Sequence, residues 1–258
     1  MGRFPSGSAP RESTALSPAH LPHLTGLLLD AGNTLLELDH GLMARHFAPG
    51  GDLPEEAVRL AEQTVRRQLD AFVRRSSTES PDTLRYYLDL VGQQLNLPRN
   101  DRNRGVEGLC AFHREANLWQ RAAPGSHETL RTLRKRGLRI GVVSNSRGDV
   151  AGLLSRLGLG ELLDTVIDSG ILGVEKPDPA IFRAGLAGLG VEASRCAYVG
   201  DLPSVDVRGA RRADLEPILI DPAGVFADVA CIKIQQLMDL CTLLNTGPNQ
   251  TPSPPGSP

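Results

Sequence analysis

Lysine is nearly missing from this sequence. Lys135, Lys176 and Lys233 are the only three among 28 basic residues, so the positive charge is almost all arginine and each lysine is informative. Cysteine is scarce too: Cys110, Cys196, Cys231 and Cys241 stand far apart with no CxxC spacing. That argues against a zinc site or a disulfide framework and suits a reducing cytosol. Net charge is almost absent, with 28 basic against 30 acidic side chains, so bulk charge gives no drive toward nucleic acid or anionic membrane. No window approaches the roughly 18 consecutive apolar residues of a membrane span. The first 20 residues lack the apolar stretch of a signal peptide. They formally fit an acylation pattern through Met1-Gly2 and Ser6, a short match interrupted by Pro5. No internal repeat is evident.

What remains can build a sizeable core. The 258 residues suggest one large domain or two modest ones, and 40% are hydrophobic against 22% charged. Residues 1–20 and the stretch from Thr246 to Pro258 are rich in Pro, Ser and Gly and are expected to be flexible tails. Leu24 to Asp30 is an apolar run closed by an acid, a buried strand followed by the turn signals Gly32 and Asn33. From about Leu53 to Trp119 the pattern is helical. Pro54 to Arg75 places Ala57, Leu60, Ala61, Val65, Leu69 and Phe72 at helical spacing, with Asp52 as its cap. Pro81 to Leu95 and Asn103 to Leu118 read as two more helices.

After Pro124 the chain alternates. Helices are expected over Ser126–Lys135, Val150–Leu157, Pro179–Leu189 and Ser204–Ala213. Strands are expected over Leu138–Val143, Thr165–Asp168, Cys196–Val199 and Pro217–Ile220. Apolar strands separated by helices of this length make βαβ crossovers and a parallel sheet. The fold class is therefore α/β: a Rossmann-like parallel sheet core over residues 21–37 and 122–244, interrupted by an all-helical cap over 38–121.

In open α/β sheets ligands bind beyond the carboxyl ends of the strands. Read in order, those ends give Asp30-Ala31-Gly32-Asn33-Thr34, then Ser144-Asn145, then Lys176-Pro177-Asp178-Pro179, then Gly200-Asp201 with Asp206 five residues on. Each has an ordinary reading by itself: an acid closing a strand is often a cap or turn former, and Asp206 sits where a helix dipole favours a carboxylate. Jointly they bring a hydroxyl, an amide, a lysine and three carboxylates to one edge. Three carboxylates around one point repel unless a cation holds them, and oxygen ligands suit Mg²⁺. A lysine and a hydroxyl beside them suit a phosphoryl group.

Four segments together resemble a known superfamily. LLLDAGNTLL, VVSNS, EKPDPAIF and YVGDLPSVDVRGA are similar to the four motifs of the haloacid-dehalogenase-like hydrolases, in the branch with a helical cap inserted after the first motif. The resemblance covers about Leu24 to Leu244. It implies a mobile cap and a Mg²⁺-dependent phosphotransfer scaffold acting on a small phosphorylated substrate. It makes Asp30 the nucleophile that carries an aspartyl-phosphate. It gives Ser144, Asn145 and Lys176 the phosphoryl oxygens, and Mg²⁺ to Asp30, the backbone carbonyl of Gly32 and Asp201, with Asp206 a ligand or just behind one. Carboxylate nucleophilic catalysis is reasonable where metal and lysine offset phosphate charge.

One position departs from the pattern. Family phosphatases carry a second Asp two residues after the nucleophile, as acid and base; here that position is Gly32. General acid–base catalysis contributes roughly 10²–10⁴-fold. Three explanations stay open. The chain belongs to a branch without that Asp; phosphonoacetaldehyde hydrolases need a cap lysine that residues 38–121 lack, and haloacid dehalogenases typically lack the first acid of the fourth motif, here intact as Asp201. Alternatively another group serves: Asp39 or His40, just beyond the first motif, unless both are solvated loop residues, or a substrate with a good leaving group. Or the protein is a weak or inactive enzyme that binds phosphate or a partner. The arginines Arg45, Arg74, Arg75 and Arg114 are candidates for substrate anion contacts.

Overall fold

The computed structural model describes Leu21 and residues 23–244; both tails and the acylation pattern lie outside the described residues. The chain opens with β1 (Gly26–Leu29) and β2 (Leu36–Glu37), followed by helices α1 (His40–Phe47), α2 (Glu55–Val73), α3 (Pro81–Gln94) and α4 (Arg99–Glu115). It returns through β3 (Arg121–Ala122), α5 (Ser126–Lys135), β4 (Arg139–Ser144), α6 (Val150–Arg156), β5 (Thr165–Asp168), α7 (Ser169–Leu172) and α8 (Pro179–Leu189). It ends with β6 (Cys196–Gly200), a π-helical turn over Pro203–Val207 leading into α9 (Arg208–Arg212), β7 (Glu216–Ile220), β8 (Ile232–Ile234) and α10 (Asp239–Leu243).

Six strands form one parallel sheet in the order β5-β4-β1-β6-β7-β8. Strand β1 is central and all four of its residues are buried, which is why its sequence, GLLL, is apolar throughout. Alternation sends Leu27 and Leu29 to one face, against Leu130, Leu133 and Leu153 of α5 and α6. Leu28 goes to the other, with Ile181, Phe182 and Ala210 of α8 and α9. Helices thus cover both faces, and burial of these side chains at about 25 cal/mol per Å² drives the assembly. Register aligns Leu29 with Val142 on β4 and with Val199 on β6, so three strand ends lie side by side where the strand order reverses.

The helices α1 to α4 sit between β2 and β3, which pair antiparallel, Leu36 with Ala122 and Glu37 with Arg121. Their core of Met43, Phe47, Val65, Leu69, Leu88 and Leu109 continues onto Leu202 and Val205 after β6.

Several local expectations need correction. Asp52 does not cap α2: the helix begins after Pro54 with no side-chain cap, and Asp52 is exposed. Leu60 points outward at 51% exposure, while Val58 and Val73 are inside. The buried face of α2 is rotated because it also carries Glu62, Arg66 and Asp70, a polar stripe at four-residue spacing that an apolar pattern ignores. Helix α4 starts at Arg99, set by Pro98 at its N-cap, and ends at Glu115; its polar first turn hides the start from hydropathy. Asp39 and His40 are not solvated loop residues: they open α1, a helix of 8 residues too short for a periodic signal.

Candidate active site

Three parallel strand ends supply the floor. Asp30 follows β1, Ser144 closes β4 and Asp201 follows β6, and all three line a cavity of about 260 Å³. Asp206, from the π-helical turn, and Lys176, from the loop before α8, join them. The cavity continues between the sheet edge and helices α2, α3 and α4, where Leu69, Val73, Leu84, Tyr87 and Trp119 give it largely apolar walls.

Lys176 is the hub. Its ammonium lies 2.7 Å from Asp30 Oδ1 and 2.9 Å from Asp206 Oδ1, and it donates to the Tyr198 hydroxyl at 2.9 Å. Burial alone lowers a lysine pKa, but Asp206 and Asp30 outweigh it and hold Lys176 charged, well above its ordinary value. Asn145 positions it: the backbone N–H of Lys176 donates to Asn145 Oδ1 at 2.7 Å, and Asn145 Nδ2 donates to the Lys176 carbonyl at 3.1 Å and to Thr78 Oγ1 at 2.9 Å. The amide of Asn145 is thereby engaged with backbone and with Thr78, whereas among the described residues Ser144 Oγ donates only to the Asn145 carbonyl, at 3.3 Å.

Asp206 is fully engaged. Its Oδ2 accepts the backbone N–H groups of Asp201 at 3.1 Å and Leu202 at 2.9 Å, while Oδ1 faces Lys176 and Tyr198. A Cβ on Gly200 would lie 2.3 Å from Asp206 Cγ, so only glycine fits where that side chain crosses the strand end.

Asp30, Asp201 and Asp206 place one carboxylate oxygen each within 4.8 Å of the others. Burial pushes the Asp30 carboxyl up to about 6, opposed by Lys176 and reinforced by Asp206. Burial pushes Asp201 further, to about 8, against the nearby Arg66 and helped by Asp206 and Asp30. Burial leads both shifts, and the neighbouring carboxylates add to them. An all-oxygen donor set short of positive charge fits Mg²⁺. Asp30 and Asp201 are the acids able to hold it; Asp201 Oδ1 accepts no hydrogen bond among the described residues. Asp206, with both oxygens bonded, is placed to orient Lys176 and the Asp201 backbone. Gly32 lines the same cavity.

Gly32 does not have a positive φ, so the backbone there accepts any residue. The indole of Trp119 covers it: a Cβ would lie 3.3 Å from Trp119 Nε1, and that N–H donates to Asn33 Oδ1 at 2.9 Å. Asn33 has φ 55° and turns its amide to Asp201 Oδ2, at 3.2 Å.

The other candidates are placed apart. Asp39 caps α1, accepting the Leu42 N–H at 2.8 Å, and His40 is buried 3.8 Å from Glu62; neither lines the cavity. Of the four candidate arginines only Arg114 lines it; Arg74 pairs with Asp70, and Arg45 and Arg75 are exposed elsewhere. Strand-end reasoning passes over Arg147, Arg66, Glu79, Thr78 and Trp119, since they lie on loops or on helices with no motif, and it takes Asn33 only as a turn residue. The stripe Glu62-Arg66-Asp70 was the one available signal for Arg66. Its Nη1 is buried without a hydrogen-bond partner, 3.8 Å from Asp201 Oδ2.

A family model described as haloacid dehalogenase-like hydrolase matches residues 24–214. The chain belongs to the haloacid dehalogenase-like hydrolases. It is 31% identical over 211 residues to the haloacid dehalogenase-like hydrolase domain-containing protein 3 of Homo sapiens, covering 78% of this chain and 84% of that protein. It is 37% identical over 119 residues to a phosphoserine phosphatase of Thermus thermophilus, covering 46% of this chain and 47% of the other. Among solved structures, a haloacid-dehalogenase-type phosphatase from Thermococcus onnurineus superposes with a TM-score of 0.56 at 22% identity, over 86% of this chain and 99% of that one. That likeness carries the fold. The expected α/β class and superfamily stand.

Proposed function

We propose that this hydrolase is a Mg²⁺-dependent phosphatase of a small phosphorylated substrate, working through an aspartyl-phosphate on Asp30. One observation carries the reading: a charged lysine 2.7 Å from a buried carboxylate, inside an acid cluster at the floor of a cavity. The phosphatase names of relatives, including phosphoserine and phosphoglycolate phosphatases, point the same way.

In this reading residues 21–37 and 122–244 are the catalytic core and 38–121 the cap. Lys176 and the Ser144 hydroxyl bind phosphoryl oxygens, and Asn145 keeps Lys176 in place. Asp30 attacks phosphorus as the bond to the leaving oxygen breaks; water then attacks the same phosphorus and frees Asp30. Asp30, Asp201 and the Gly32 carbonyl would hold Mg²⁺, which would supply positive charge to offset that of the phosphoryl group. Four free thiols fit work in a reducing compartment.

The test is hydrolysis of an aryl phosphate with and without Mg²⁺, in wild type and Asp30→Asn. The reading expects metal-dependent turnover that the substitution removes. Gly32 under the Trp119 indole supports a second reading, a phosphate-binding protein that turns over slowly. Tight phosphate binding with slow turnover or none on any ester selects it.

A further inference from the structure

Glu79 lies on the loop between α2 and α3, in the wall of the same cavity as Asp30 and Gly32. Its neighbours are pinned. Thr78 accepts from Asn145 of the core at 2.9 Å, Ser77 Oγ donates to Glu175 Oε2 at 2.7 Å, and Ser80 caps α3 by accepting the Asp82 N–H. The Glu79 backbone N–H donates to Ser77 Oγ at 3.1 Å. The loop is therefore tied to the phosphate side of the site at the residue before Glu79. No hydrogen-bond or ion-pair partner engages the Glu79 carboxyl among the described residues.

We infer that Glu79 is the general acid and base of this enzyme, supplying from the helical segment the side chain that Gly32 lacks. The inference rests on the phosphatase reading. As Asp30 Oδ bonds to phosphorus and the bond to the leaving oxygen breaks, the Glu79 carboxylic acid gives its proton to that oxygen. The Glu79 carboxylate then takes a proton from the water that attacks phosphorus, the bond to Asp30 breaks, and Glu79 is again protonated. Atoms and charges balance with no further reagent.

The surroundings suit a carboxyl that is protonated when the cycle starts. Burial pushes Glu79 up to about 7; Glu175 adds to this, Arg147 opposes it, and Asp30 and Asp149 add smaller amounts. His113 and Arg114 of α4 also line the cavity, and burial with the Arg147 charge holds His113 down at about 4, so it is neutral and no rival cation.

The experiment compares kcat/KM of wild type and Glu79→Gln on an alkyl and an aryl phosphate with Mg²⁺, and traps phosphoryl-enzyme by acid quench on the aryl substrate. An alkoxide needs a proton to leave and a phenoxide does not. The alkyl loss is expected to exceed the aryl loss by about 10²-fold or more, and phosphoryl-Asp30 is expected to accumulate in the variant because its hydrolysis lacks a base. Gly32→Asp added to Glu79→Gln is expected to recover alkyl turnover if Trp119 yields. Equal losses on both substrates, or none, overturn the assignment. So does a wild type that hydrolyses aryl but not alkyl phosphates, which leaves the phosphatase reading standing. A wild type inert on both contradicts the phosphatase reading itself.

Discussion

Two buried polar clusters meet at Asp201, and they differ in charge balance. On the sheet edge Lys176 serves both Asp30 and Asp206 while Asp201 faces Arg66 at 3.8 Å, and burial raises the carboxyls of Asp30 and Asp201 to about 6 and about 8. In the helical segment Glu62 bonds both Arg66 Nε, at 2.8 Å, and the Tyr87 hydroxyl. Burial works to raise Glu62, but Arg66, His40 and Tyr87 overcome it and hold the carboxyl at about 2. A cluster left short of cations, open to a cavity, is poised to bind; one whose charges are matched and closed from solvent holds helices together.

The largest expected effect breaks the first cluster. Asp30→Asn should lower kcat by on the order of 10⁴–10⁶-fold, the range for removing one member of a nucleophilic constellation, with the protein still folded. Lys176→Met should follow in the same direction. Steady-state kinetics beside a circular dichroism melt checks both; a variant with wild-type kcat would make Lys176 a plain loop residue.

Next comes the second cluster. Glu62→Gln should cost about 3–5 kcal/mol at neutral pH, because it strands the Arg66 charge in the interior. The sign with pH follows from the shift. Glu62 lies below its ordinary 4.5 when folded, so its stabilisation is complete above about 4.5 and fades as pH falls toward about 2. Urea melts across that window should show the wild-type advantage closing as pH drops. A gap under about 1 kcal/mol at pH 7 would mean the cluster is not closed.

A smaller effect separates the two clusters. Mg²⁺ should stabilise wild type by about 2–3 kcal/mol at 100-fold over its Kd, and Asp201→Asn should remove most of that gain. Glu62→Gln should keep it, at a lower starting stability. Calorimetric melts with and without Mg²⁺ decide; equal gains in wild type and Asp201→Asn would place the metal elsewhere.

The smallest effect belongs to a pair outside both. Arg67 bonds Asp228 at 2.7 Å between α2 and the loop before β8, with both side chains more than half exposed. Arg67→Ala should leave the thermal melt nearly unchanged, and the small difference should vanish at high salt.

The sheet edge was legible before any coordinates because a parallel strand announces itself as an apolar run and its last residue must face the crevice. Asp30, Ser144 and Asp201 follow from that geometry alone. The parallel sheet, and helices such as α5 and α8 with Ser126 or Pro179 at their starts, were equally readable. The helical segment was not. Arg66 and Glu62 sit four apart on α2, a spacing shared by countless exposed pairs, and nothing local says that Tyr87 of α3 closes over them. Glu79 and Thr78 lie on a loop whose approach to Asn145 is a tertiary fact. Trp119 over Gly32 joins residues 86 or more apart in the chain and was equally hidden. Short elements such as α1, β2, β3 and β8 carry too few residues for a period to emerge.

The central claim is that Asp30 becomes covalently phosphorylated. The direct measurement is acid quench of wild type during turnover of an aryl phosphate with Mg²⁺, followed by peptide mass spectrometry. A phosphoryl group on the peptide bearing Asp30, formed as fast as the phenol is released and absent in Asp30→Asn, is the predicted result. Turnover with no adduct on that peptide, and retained by Asp30→Asn, would contradict it.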